Sequence, residues 1–216
     1  MTSTAGASGS APLAAADQRR DQMLAAAAAL IAERGFSETR IADVAKRVGA
    51  SSALVVYYFG TKDKLLTEAL TYSEAHFYDA ADRMLAETPG VRERLETLVR
   101  MTCDPDGEDD IPGAWGLWFD LWAQAFRHPQ VAEDRIVADR RWRDTIVGVL
   151  EDGMAAGETA TVDPAQFAIT FAALLDGLCI QVALQDPDVD SDRAFAIAMD
   201  FATKTLSLPP ASRGRR

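Results

Sequence analysis

Between Thr39 and Lys62 the chain reads TRIADVAKRVGASSALVVYYFGTK, two apolar helical patterns on either side of one glycine. In the first pattern Ile41, Val44, Ala45 and Val48 recur at helical spacing, and Thr39 precedes them as the expected N-cap oxygen. Gly49 follows the last periodic residue, where a left-handed backbone ends a helix at little cost to glycine. Ser51 then offers a hydroxyl to cap the second pattern. Isolated helices shorter than about 12 residues are marginal in water, so both must lean on neighbouring segments. The constraint is strong: a helix, a tight turn and a second short helix inside a larger helical frame.

At about 100° per residue, Val55 and Phe59 of the second helix fall together for burial, while Ser52, Ala53, Val56 and Tyr57 spread over the other side. That outer side has small and hydroxyl-bearing residues at the size an α-helix needs to enter a DNA major groove. Basic Arg40, Lys46, Arg47, Lys62 and Lys64 flank it. The pattern predicts a helix-turn-helix; for the turn alone, a helical hairpin that happens to contain Gly and Ser is the alternative. The flanks decide between them. Upstream, RRDQMLAAAAALIAERGF supplies a helix with Met23, Leu24, Ala27, Leu30 and Ile31 on one face and Gly35 at its end. Downstream, GTKDKLL opens a long helix.

Together these motifs resemble the DNA-binding domain of the TetR family of bacterial repressors over roughly residues 19–70. The resemblance implies that Arg40 contacts phosphate at the start of the second helix, and that Ser51, Ser52 and Ala53 lie at base or backbone contacts. It further implies phosphate contacts from Tyr57, Tyr58 and Lys62. Val56 departs from the family pattern, where tyrosine is common, and leaves apolar contact with a thymine methyl as its means of reading a base.

A net charge of −11 argues against DNA binding only until it is divided along the chain. Asp17 to Lys64 holds eight Lys/Arg against six Asp/Glu, and everything after Lys64 carries the acidic excess. Phosphate binding needs a local positive face, and an acidic body helps to orient that face toward DNA. With 216 residues and 48% hydrophobic content the chain can bury a sizeable core as one domain or two. Met1 to Ala16 lacks the basic start and apolar run of a secretory signal and is expected as a disordered tail. Apolar runs are broken by charge before about 18 residues, so no transmembrane span is expected, and the location expected is the cytoplasm. Cys103 and Cys179, far apart in sequence, are expected as reduced, buried thiols.

The expected fold is all-α with about nine helices: a helix-turn-helix domain over residues 17–64, a helical ligand-binding and dimerisation domain over 65–207, and a tail over 208–216. Lys62 to about Glu87, Val91 to Cys103, Ala114 to Arg127, Pro129 to about Ala156, Pro164 to Gln185 and Ser191 to about Leu206 supply the helices of the body. Asp163-Pro164 gives one of them an N-cap acceptor and a proline at the first helical position. Residues 104–113 form an acidic connector without the spacing of a calcium loop.

Within AWGLWFDLWAQAFR, Trp115, Trp118 and Trp122 share one helical face and Phe119 accompanies them. Three indoles on one side are either ordinary core or the wall of a cavity that a ligand fills. Asp120 is expected to face solvent or a cationic ligand. His76, beside Phe77, is expected as a partly buried histidine or, second, a ligand contact; no His or Cys lies at metal-ligand spacing, so no metal and no cofactor are expected. Asp176 lies among Leu174, Leu175 and Leu178 and needs a partner, either within a dimer or on a cationic ligand.

The helix from Pro164 to Gln185 is apolar almost all round, and the family resemblance implies that the last two long helices form a four-helix bundle across a two-fold axis. Ala168, Ala172, Leu175, Cys179, Val182 and Phe201 are the expected dimer contacts. LWFDLWAQAFRHPQV and LLDGLCIQVAL look like the choline-responsive betaine repressors of the same family. The function expected is a repressor that binds a double-stranded operator as a homodimer and is released by a small effector. An organic cation is the first choice of effector and an apolar or acyl compound the second. A helical small-molecule binder without DNA binding is the alternative, and no paired nucleophile and base suggests an enzyme.

Overall fold

The computed structural model describes residues 10–104, 114–127 and 129–208. They form helices and connecting turns with no strand among the described residues. Two compact units result, one of residues 1–74 and 116–123, the other of residues 75–115 and 124–216. The expected acidic connector over 104–113, apart from Asp104, and the expected tail over 208–216, apart from Leu208, lie outside the described residues.

The first unit holds α1 (Ser10–Arg34), α2 (Ile41–Arg47), α3 (Ser52–Phe59), the start of α4 (Lys62–Glu87) and the middle of α6 (Ala114–Ala125). α1 begins at Ser10, ahead of Asp17, because the alanine-rich run 14–16 continues the helix toward the N-terminus instead of ending it. Its core face is the expected one: Met23, Leu24, Ala27, Leu30 and Ile31 are buried. Val44 and Ala45 of α2, Val55 and Phe59 of α3, and Leu65, Leu66, Ala69 and Leu70 of α4 complete this core.

Gly49 has φ +62°, as the turn between α2 and α3 requires. Thr39 does not cap α2. Arg40 occupies the N-cap position without a side-chain bond, and Thr39, fully buried, donates its hydroxyl to the carbonyl of Gly35 at 2.9 Å. A buried hydroxyl is satisfied by the nearest fixed acceptor, and here that is the end of α1.

The second unit contains the rest of α4, then α5 (Val91–Cys103), α7 (Pro129–Ala155), α8 (Pro164–Ala183) and α9 (Ser191–Leu206). α8 is its centre, packed on α5, α7 and α9. Asp163 caps α8 as expected, its Oδ1 accepting from the backbone N–H of Ala165 and Gln166 at 3.0 and 3.1 Å, ahead of Pro164. Phe167 and Phe171 of α8 stack with Phe201 of α9. Contrary to the expectation from charge spacing, α8 is long and apolar enough to cross a membrane by length and composition, because Asp176 is its only charge. Its buried face of Phe167, Ala168, Phe171, Ala172, Leu175, Leu178 and Cys179 belongs to the protein core.

Candidate functional site

α3 is built to hold one face inward and present another. Ser51 caps it, its Oγ accepting from the N–H of Leu54 at 3.2 Å, and Gly60 closes it with φ +77°. Val55 and Phe59 are sealed in the core, and Arg20 lies with its Cζ 5.3 Å from the centre of the Phe59 ring. Ser51, Ser52, Ala53, Val56 and Tyr57 are exposed, and Tyr58 is half-buried. Leu54 also reaches the surface; its apolar character had suggested no such role.

The basic residues divide into two kinds. Arg40 and Lys46 are exposed. Arg47 is bidentate on Glu33 at 2.6 and 2.9 Å, and this bond holds the Glu33 carboxyl below the usual carboxylate range. Lys62 donates to the carbonyl of Ser37 at 2.6 Å, pinning the start of α4 to the α1–α2 connection. Arg19 does the same for the other side of the motif, donating to the carbonyl of Val48 at 2.9 Å.

The residues expected at an effector are found in both units. In the first, Leu117 and Leu121 of α6 are buried, and Trp118, Phe119 and Trp122 are half-buried, with the Phe119 and Trp122 rings 5.8 Å apart. Trp118 and Trp122 are therefore not the main core face of this helix. The side chain of Trp115 lies outside the described residues. Asp120 neither faces bulk solvent nor stands ready for a cation: its Oδ2 accepts from the backbone N–H of Phe36 at 2.7 Å. The N–H just past the end of α1 needs an acceptor, and the carboxylate supplies one.

In the second unit Phe77, Tyr78 and Trp142 form an aromatic cluster with ring centres 5.6 to 6.3 Å apart. The Tyr78 hydroxyl donates to the carbonyl of Ala138 at 2.8 Å, and the Arg141 guanidinium sits 4.8 Å over its ring. Trp142 carries no signal of this role in the sequence, because on α7 it is a lone aromatic among charges. His76 is exposed, not partly buried: it sits one position away from the face that carries Phe77 and Tyr78 inward.

Asp176 is pushed up to about 6. Burial is the main cause; Arg135 opposes it, and Asp139 adds to it. Arg135 and Asp139 form an ion pair on α7. Cys103 and Cys179 are free, buried and pushed up to about 12, again mainly by burial. Among the described residues no group of His, Cys, Asp and Glu is arranged to hold a metal ion.

Residues 91–207 match the model of the BetI-type transcriptional repressor C-terminal domain, and residues 23–69 match that of the bacterial regulatory proteins of the tetR family. The first match alone covers more than half the chain. This chain belongs to the TetR family, in its BetI-type branch. It is similar to the HTH-type transcriptional regulator BetI of Burkholderia cenocepacia, 28% identical over 190 residues that cover 88% of this chain and 94% of that protein. Among solved structures it resembles a transcriptional regulator from Saccharomonospora viridis in complex with choline: 28% identity, 88% of this chain and 98% of that one, TM-score 0.78. A TetR-family regulator from Rhodococcus shares the fold at 24% identity and TM-score 0.71, covering 88% of this chain and 99% of that one.

Of the expected dimer contacts, Ala168, Ala172, Leu175 and Cys179 are buried against the protomer's own core, and Val182 and Phe201 are half-buried. Periodicity identified an apolar face of α8 correctly but could not tell which of its two apolar sides turns inward. The outer side is Ala165, Ile169, Ala173 and Gly177 on α8 and Leu184 just past its end, with Ala196 and Ile197 on α9, all exposed.

Proposed function

We propose that this chain is a dimeric repressor whose α3 enters the major groove of a two-fold operator, and whose helical body takes up an organic cation of the choline class. The observation that carries the reading is the division of α3 into a sealed face, Val55 and Phe59, and an exposed face of small, apolar and hydroxyl side chains. A capped, fixed helix with an exposed face of this size is what groove insertion needs, and exposed Arg40 and Lys46 supply charge for phosphates.

Dimerisation uses the outer stripe of α8 and α9. Ala165, Ala173 and Gly177 permit close helix approach, and Ile169, Leu184 and Ile197 supply apolar area that a lone protomer leaves in water. The cation preference is supported by the choline bound to the Saccharomonospora viridis relative and by the acidic character of the body. With Asp120 engaged by Phe36, Asp176 is the remaining acid of the two expected to meet a cation. A bound ammonium favours the ionised form of this carboxyl, so uptake of a cation lowers its pKa from about 6.

A gel shift with the DNA upstream of the chain's own reading frame tests the reading. A retarded band with two chains per duplex that disappears with millimolar choline supports it. No band at low salt, or a band indifferent to choline, betaine aldehyde and other small cations, contradicts the DNA-binding part or the effector part respectively.

A further inference from the structure

The sequence of α3, SALVVYYF, has no charged side chain, no Asn and no Gln. The side chains that distinguish guanine and adenine by paired hydrogen bonds are therefore missing from the helix that would lie in the groove. The hydroxyl of Ser51 is occupied by its cap, Arg47 is forked onto Glu33, and Lys62 is bonded to Ser37. What the helix presents is apolar: Val56 is 43% exposed and Leu54 36%, on either side of Tyr57 at 82%, and Ala53 lies on the same outward arc. Ser52 and Tyr57 add hydroxyls, but a hydroxyl both donates and accepts and so separates bases weakly. In the major groove thymine is the base that offers a methyl group.

From this juxtaposition, and resting on the DNA-binding reading above, we propose that the operator half-site is recognised through thymine methyl groups packed against Val56 and Ala53. Each such contact removes about one methyl group from water, about 0.8 kcal/mol, or about fourfold in affinity. A few such contacts cannot supply a large specificity ratio alone. The half-site is accordingly rich in T·A pairs, whose groove shape and deformability add discrimination at positions that no side chain touches.

The test uses the full chain. Duplexes are selected from a randomised pool at fixed salt, and each thymine of the recovered half-site is then replaced singly by deoxyuridine, which lacks only the methyl. The wild type should lose about fourfold in affinity at one or two positions. Val56→Ala should bind more weakly to the thymine duplex and be nearly indifferent to uracil at one of those positions. Val56 is exposed, so the variant should melt with the wild type. Recovery of a half-site fixed by G·C pairs, tolerance of uracil at every position, or an unchanged uracil penalty in both Val56→Ala and Ala53→Gly overturns the inference while DNA binding stands. A chain that selects no sequence above the starting pool fails differently and removes the DNA-binding reading itself.

Discussion

Single residues make the sharpest commitments. Asp176 has its pKa near 6 in the folded chain against an ordinary value of 3.8, so the fold is destabilised by its ionisation. The penalty is fully present above pH 6, shrinks as pH falls toward 4 and is absent below the unfolded value. Asp176→Asn should stabilise the helical body at pH 7.5 by on the order of 2 kcal/mol, read as a higher melting temperature, and the two proteins should converge by pH 4. The groups around it are Arg135 and Asp139 on α7, Cys103 on α5 and Cys179 on α8 itself. An advantage of the variant that persists at pH 4 would mean that packing, and not charge, sets the effect. Gly153 makes an opposite commitment. In a bare helix Gly→Ala is stabilising, but a Cβ here would stand 2.9 Å from Cβ and Cγ2 of Val91. Gly153→Ala should therefore lower stability by about 1–3 kcal/mol in urea titration, and a stabilised variant would contradict the close packing of α5 on α7.

At the scale of elements, the sequence announced what local chemistry decides. Gly49 and Ser51 place the turn, Asp163 and Pro164 start α8, and the periodic leucines of α1 and α4 name their buried faces. What it concealed depends on distant partners. Asp120 is spoken for by an N–H 84 positions away, and Thr39 looks like a cap until the carbonyl of Gly35 claims its hydroxyl. On α8 both sides are apolar, and only α5, α7 and α9 determine which one is the core. The proposed outer interface is testable by paired substitutions. Ala173→Asp lies on the outer stripe and should yield folded monomers that sediment at half the mass. Leu175→Asp, at a fully buried position, should unfold the body. A dimeric Ala173→Asp would place the interface elsewhere. At α2, Arg40→Ala should weaken binding to every duplex and reduce the steepness of the salt dependence by about one unit per protomer, and an unchanged slope would remove Arg40 from the phosphate contacts.

For the molecule as a whole, the charge of the chain is segregated, basic around α2 and α3 and acidic beyond Lys64. A repressor of this kind needs only a few kcal/mol of difference in effector affinity between its DNA-competent and DNA-incompetent states to leave its operator. The measurement that tests this most directly is the fluorescence anisotropy of a labelled upstream duplex, titrated with the protein at fixed salt in the absence and presence of choline. The account predicts saturable, sequence-selective binding by two chains per duplex, weakened at least tenfold by millimolar choline, with Asp176→Asn binding DNA as the wild type does but losing most of the response. Binding that is equal for all duplexes, or an isotherm that choline leaves unmoved while a neutral or anionic compound shifts it, would contradict the account.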